Sequence, residues 1–136
     1  YLWQSPTQEI SETLKIIEMV QKQYVDNKIG RFATILKETG EFIGWTGIKF
    51  VNDHVENGNT NFYDYGYRLN EKFWNNGYAT EALLGMWRWV CGEAGVRTLR
   101  YTVSPSNLAS VAIIKKFGFT DNLCDWRYGI LGNFEK

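Results

Sequence analysis

A chain of 136 residues with fifteen basic and fifteen acidic side chains suits one domain of balanced charge. At 44% hydrophobic and 16% aromatic it can build a sizeable core, while the balance excludes a basic stripe for nucleic acid, an acidic disordered tail and an electrostatically held membrane surface. No apolar run approaches the roughly 20 residues of a membrane helix, no charged-then-apolar leader opens the chain, and Cys91 and Cys124 lie too far apart for metal or redox spacing, so they read as free thiols of a reducing cytoplasm.

Ser5-Pro6 reads as an N-cap followed by proline at the first helical position. Ile10, Leu14, Ile17, Val20 and Tyr24 then recur at helical spacing, and the helix stops near Asp26-Asn27. Residues 31–36 and 42–50 are two strands joined by a polar turn containing Gly40, hence a hairpin. Gly44 and Gly47 inside the second strand mark a bulge or a close approach, and Trp45 between them either lines a cleft or packs on the sheet. Residues 52–61 form a polar surface loop holding His54, the only histidine and a poor metal ligand on its own. In the strand over 62–69, Tyr63, Tyr65, Tyr67 and Leu69 share one face; Phe62, Asp64, Gly66 and Arg68 share the other.

The helix over 80–94 carries an apolar stripe of Ala82, Leu83, Met86, Trp87, Val90 and Ala94, closed by Gly95. A strand over 96–103, a turn, a helix over 108–117 capped by Asn107 or Ser106 and ended by Gly118, and a last strand over 126–131 complete the chain. The strand–helix–strand unit predicts a parallel pair with a right-handed crossover. The hairpin makes the rest antiparallel, so the fold class is mixed α/β in one domain.

The stretch from Trp74 to Ala82 joins the 62–69 strand to the following helix. Backbone N–H groups of a first helical turn lack intrahelical partners, and the helix dipole adds about half a positive charge there. Gly77 permits a backbone conformation closed to other residues and leaves room for a ligand. Ala79 lets a phosphate approach closely. The P-loop's Lys and its second glycine are missing, as are two of the three glycines of the dinucleotide fingerprint. On the loop alone, a phosphate site and an ordinary strand-to-helix turn both stay open.

Two motifs together carry a resemblance. Trp74, Gly77 and Ala79, continued by the Gly-Tyr-Ala-Thr-Glu-Ala run, are followed by Asn107, Ser110 and the Gly118-Phe119 pair. The chain resembles the GNAT superfamily of acyl-CoA-dependent N-acetyltransferases, within it the ribosomal-protein-alanine N-acetyltransferase branch, along nearly its whole length. The resemblance implies a GNAT fold over residues 1–136: a mostly antiparallel sheet with a splayed parallel strand pair and flanking helices, lacking the N-terminal edge strand. It implies acetyl-CoA as cosubstrate and no metal. The pyrophosphate falls to the N–H groups of Asn75, Asn76, Gly77, Tyr78 and Ala79 with the Thr80 hydroxyl, the pantetheine arm to Tyr67, Arg68 and Leu69, and Asn107 joins them.

Transfer is expected to be direct, from thioester to amine, with no cysteine carrying the acetyl group. At the family's proton-donating tyrosine position stands Ile114, so Ser110 becomes the candidate acid, beside the reading that it is a small residue letting CoA pass. Asp64 and Glu71 are the candidate bases, and Glu81 reads as structural. An α-amino group, of a peptide N-terminus or a small amino compound, is the expected acceptor, in the cytoplasm, with neither nucleic acid nor membrane as partner and a homodimer left open. The competing readings are a non-catalytic acyl-CoA-binding module and a nucleotide-binding α/β domain.

Overall fold

Helix α1 (Ile10–Asn27) leans on the sheet by its last turns. The Tyr24 ring meets Phe32 edge-on at 5.6 Å, and its hydroxyl donates to the Arg31 carbonyl at 2.7 Å. Gln23 accepts from the Phe50 N–H at 2.9 Å and donates to the Phe50 carbonyl at 3.2 Å, so one carboxamide substitutes for a neighbouring strand. The stripe read from the periodicity is present, but no α1 residue is buried and Ile10 is 81% exposed. Helical spacing fixes which residues share a side; it does not say what covers them.

The computed structural model describes residues 9–53, 55, 58, 60–93, 96, 98–123 and 130–135. Ser5-Pro6, His54, Ala94, Gly95, Cys124 and Trp126 fall outside these. The strands are β1 (Arg31–Ile35), β2 (Phe42–Val51), β3 (Phe62–Leu69), β4 (Thr98–Val103), β5 (Thr120–Leu123) and β6 (Ile130–Glu135). They form one six-stranded sheet in the order β1-β2-β3-β4-β6-β5. β3 and β4 are parallel, joined through α2 (Tyr78–Gly92); the other neighbours are antiparallel. Helix α3 (Leu108–Lys116) follows β4. Strand β5 was not foreseen, because Thr-Asp-Asn-Leu has no apolar alternation; of the strand expected over 126–131, residues 130 and 131 fall in β6, and 126–129 lie outside the described residues.

Pairing register and alternation sort β1–β4 into two faces. One holds Phe32, Ile48, Tyr63, Tyr65, Tyr67, Leu69, Leu99, Tyr101 and Val103, without a charged residue. There the core forms with Leu83, Met86 and Val90 of α2 and Ile114 of α3. The other face holds Arg31, Trp45, Lys49, Asp64, Gly66, Arg68 and Arg100. Glycine is required at Gly44: a Cβ there would run into the Arg68 carbonyl oxygen of the adjacent strand, so β2 and β3 close tightly beside the end of β3.

Candidate functional site

Among the described residues β3 and β4 pair only at Tyr63–Leu99, Asp64–Arg100 and Tyr65–Tyr101. Beyond this β3 stays with β2 as far as Leu69, and β4 stays with β6 as far as Val103. The two strands therefore part into a wedge bounded by residues 66–69 and 102–103. Backbone groups of Tyr67, Arg68 and Leu69 that point away from β2 face this wedge, where an extended amide-bearing chain can replace the missing ladder.

The loop after β3 is held by its own side chains. The Trp74 indole N–H donates to the Leu69 carbonyl at 2.8 Å, and Asn76 Nδ2 donates to the Trp74 carbonyl at 2.9 Å. Asn75 (φ 61°) and Gly77 (φ 83°) take left-handed conformations that swing the chain into α2. Gly77 is the N-cap and gives no side-chain hydrogen bond; the first intrahelical bond is Glu81 N–H to the Gly77 carbonyl at 3.0 Å. The amides of Tyr78, Ala79 and Thr80 thus precede the hydrogen-bonded ladder and remain free to donate. Nothing lies within 4 Å of where a Gly77 Cβ would stand. Donor set, dipole and clearance fit an anionic phosphate. Glu81 is exposed in the first turn, in keeping with its structural reading.

At the other side of the wedge, Asn107 caps α3 by accepting from the Ser110 N–H at 3.2 Å. Its carboxamide oxygen is thereby committed to the cap, and its amide nitrogen is the group left for a ligand. Ser110 is buried, and its Oγ lies 2.7 Å from the Tyr67 hydroxyl. Tyr67 stacks on Tyr101 (6.3 Å, 21°), and Tyr101 on Tyr65 (5.6 Å, 30°). Burial pushes the Tyr101 phenol well above its ordinary range, with Tyr67 adding to the rise and a hydrogen bond with Ser110 opposing it. Ile114 is fully buried in the core and offers no proton.

The two candidate bases are not gathered with Ser110. Asp64 is buried on the opposite face of the sheet, between Lys49 and Arg100 in register. Glu71 is exposed on a single 3₁₀ turn (Glu71–Phe73) leading to the loop. The Tyr67 side chain was missed as a partner of Ser110: alternation put its ring on the right face, but nothing local announces a contact 43 residues away. Among the described residues no group of three His, Cys, Asp or Glu side chains could hold a metal ion, and no helix is long and apolar enough to cross a membrane.

Comparison with known proteins agrees with this geometry. The family profile described as "Acetyltransferase (GNAT) domain" matches residues 1–120. An uncharacterized N-acetyltransferase, p20, of Bacillus licheniformis is 26% identical over all of this chain and 70% of its own length. Two solved structures share the fold. Ribosomal-protein-S5-alanine acetyltransferase of Vibrio fischeri superposes with a TM-score of 0.72 at 14% identity, covering 96% of this chain and 77% of the other. Mycobacterium smegmatis RimJ, in complex with CoA-disulfide, superposes with a TM-score of 0.70 at 21% identity, covering 96% and 68%. With the profile spanning most of its length, and with a splayed strand pair opening beside an uncapped helix start, the chain belongs to the GNAT acetyltransferase family, whose members take the acetyl group from acetyl-CoA and pass it to an amine.

Proposed function

We propose that this chain acetylates an α-amino group, of a peptide N-terminus or a small amino compound, by direct transfer within one ternary complex in the cytoplasm. The observation that carries the reading is the pairing of the open wedge with the uncapped start of α2, joined by one tightly tied connection over residues 70–77. The amides from Asn75 to Ala79 and the Thr80 hydroxyl bind the pyrophosphate, and the β3 backbone at Tyr67, Arg68 and Leu69 aligns the pantetheine arm.

Acetyl-CoA supplies an acetyl group activated as a thioester. The amine nitrogen forms a bond to the acetyl carbon, the carbon–sulfur bond breaks, the amine loses one proton and the thiolate gains one. Ser110 delivers the thiolate's proton and is resupplied by the Tyr67 phenol, a far better acid class than an aliphatic alcohol. Asp64 or Glu71 takes the amine's proton, directly or through water.

An α-amine has a pKa of about 7.7–8.0, so roughly a tenth is neutral near pH 7, against about one in a thousand or fewer for a lysine side chain of pKa about 10.4. Neither carboxylate adjoins Ser110, and such a site favours the amine that is already neutral. The deciding experiment offers acetyl-CoA with a free-N-terminus peptide and with the same peptide N-terminally blocked but bearing a lysine. Release of CoA thiol with the acetyl group on the α-amine is the expected outcome; acetylation mainly on lysine overturns the acceptor assignment.

A further inference from the structure

The face of the sheet turned away from α2 and α3 has an electrostatic character the rest of the molecule lacks. Over β1–β4 it carries Arg31, Lys49, Arg68 and Arg100 against one acid, Asp64, in a chain whose charges balance overall. Asp64 sits between Lys49 and Arg100 in register. Arg31 and Arg68 are left on the same side of that acid, one on each flank of Trp45. The Arg31 guanidinium carbon lies 4.3 Å from the indole centroid and that of Arg68 lies 5.9 Å from it.

Two like charges held against one ring repel. Burial lowers the Arg31 pKa most, the field of Asp64 opposes that, and Arg68 adds a smaller lowering. Arg31 is half-buried, yet neither arginine has an ion pair within 4.0 Å among the described residues. A half-buried guanidinium with no carboxylate in contact is better compensated when an anion completes the site. Gly66 leaves β3 bare beside the pair, and a Cβ there would stand 3.5 Å from Trp45 Cζ3 and 3.6 Å from Arg31 Nη2.

The position relative to the wedge gives the patch a role. Gly66 is the first residue beyond the last β3–β4 pair, and Arg68 is two residues further along the wedge wall. Two residues of strand span about 7 Å. The start of α2, Asn107 and Ser110 all serve the Tyr67 side, so the cationic face is the free side from which an amine can reach the wedge.

We propose that Arg31, Trp45 and Arg68 form a carboxylate-binding subsite that holds the acceptor by an anionic group a few ångströms from its amine. The inference rests on the proposed α-amine acetylation. Planar guanidinium forks suit a carboxylate, which they bind through paired hydrogen bonds. The carboxylate can belong to a free amino acid or to an acidic side chain next to a peptide N-terminus; the shared chemistry is an α-amine with a nearby carboxylate.

The test uses two matched pairs of acceptors with the intact protein: C-terminally amidated peptides beginning Ala-Glu or Ala-Gln, and alanine against alaninamide compared at equal concentrations of neutral amine. The carboxylate member of at least one pair is expected to exceed its amide by ten-fold or more in kcat/KM, chiefly through KM. The pair with the larger ratio identifies the source of the carboxylate. In Arg68→Met, an exposed position, that ratio should fall towards one; Arg31→Lys, which keeps the charge but not the fork, should give an intermediate ratio. Equal rates within both pairs, or a ratio unchanged in Arg68→Met, overturn the subsite. The same pairs are titrated by calorimetry into CoA-saturated protein. Turnover without carboxylate preference leaves the acetylation standing and removes the subsite. Carboxylate-selective binding that Arg68→Met abolishes, with no turnover of any acceptor, does the reverse; absence of selectivity in binding as well overturns the subsite.

Discussion

In the proposed mechanism Ser110 and Tyr67, two hydroxyls that the fold sets 2.7 Å apart, form a proton route. Ser110→Ala should lower kcat by roughly 100- to 10,000-fold, the span of general acid contributions. Tyr67→Phe should lower it in the same direction, and its effect should disappear in the Ser110→Ala background, because the phenol acts through the serine. Steady-state kinetics under rate-limiting chemistry checks both, and additive losses would separate the two residues. Ser110 was legible in the sequence through its spacing from Asn107. Tyr67 was legible only as a strand position, since its ring meets α3 through tertiary packing. Nearby, burial raises the Tyr65 phenol above its ordinary range while a hydrogen bond with Thr46 opposes the rise. A phenol of ordinary pKa about 10 ionises first in the unfolded chain, which then binds fewer protons than the native one. The stability that Tyr65 contributes is thus complete below about pH 10 and drains away as pH rises towards its folded pKa. Thermal midpoints measured from pH 8 to 11 should fall less steeply in Tyr65→Phe than in the parent.

At the scale of the element, the start of α2 separates charge from shape. Gly77→Asp places a negative side chain where nothing lies within 4 Å, on a residue at φ 83°. Gly77→Asn imposes a similar left-handed strain, which asparagine tolerates comparably, without the charge. Acetyl-CoA binding by calorimetry should be abolished in the aspartate variant and only weakened in the asparagine one, with both folded; wild-type affinity in folded Gly77→Asp would sink the pyrophosphate assignment. Helix α3 depends on its cap in the same concrete way. Asn107→Ala should destabilise by about 1 kcal/mol, the usual worth of such a cap, seen as a lowered thermal midpoint. The glycine, the helix start and the Asn107 cap were all readable, because each is a local rule written within four residues. The extent of the wedge was not, because it depends on where β3 and β4 cease to share a register.

Across the whole molecule, the alternation of β3 and β4 was visible in the residues; the charged face completed by Arg31 and Lys49 emerged only from strand register. What escaped was long-range: the exposure of the α1 stripe, the Thr120–Leu123 strand, and Gln23 closing the outer edge of β2 at Phe50. That edge is open because β1 pairs β2 only from Phe42 to Gly47. An unprotected edge invites pairing with another chain. Gln23→Ala should cost about 1–2 kcal/mol for the unmet backbone groups and raise concentration-dependent association, followed by light scattering. The wedge has a wider consequence. Among the described residues three pairs join β1-β2-β3 to β4-β6-β5 through the parallel seam. In the proposed binding mode a donor lying in that seam would act as a mortar joint between two half-sheets. Amides along residues 66–69 and 102–103 should exchange with deuterium quickly in the free protein and slowly when acetyl-CoA is added. At 100 times its dissociation constant a ligand adds about 2.7 kcal/mol to native-state stability. The robustness of this protein in a cell would then follow the local supply of acetyl-CoA, and the chain would grow easier to proteolyse when that supply runs low.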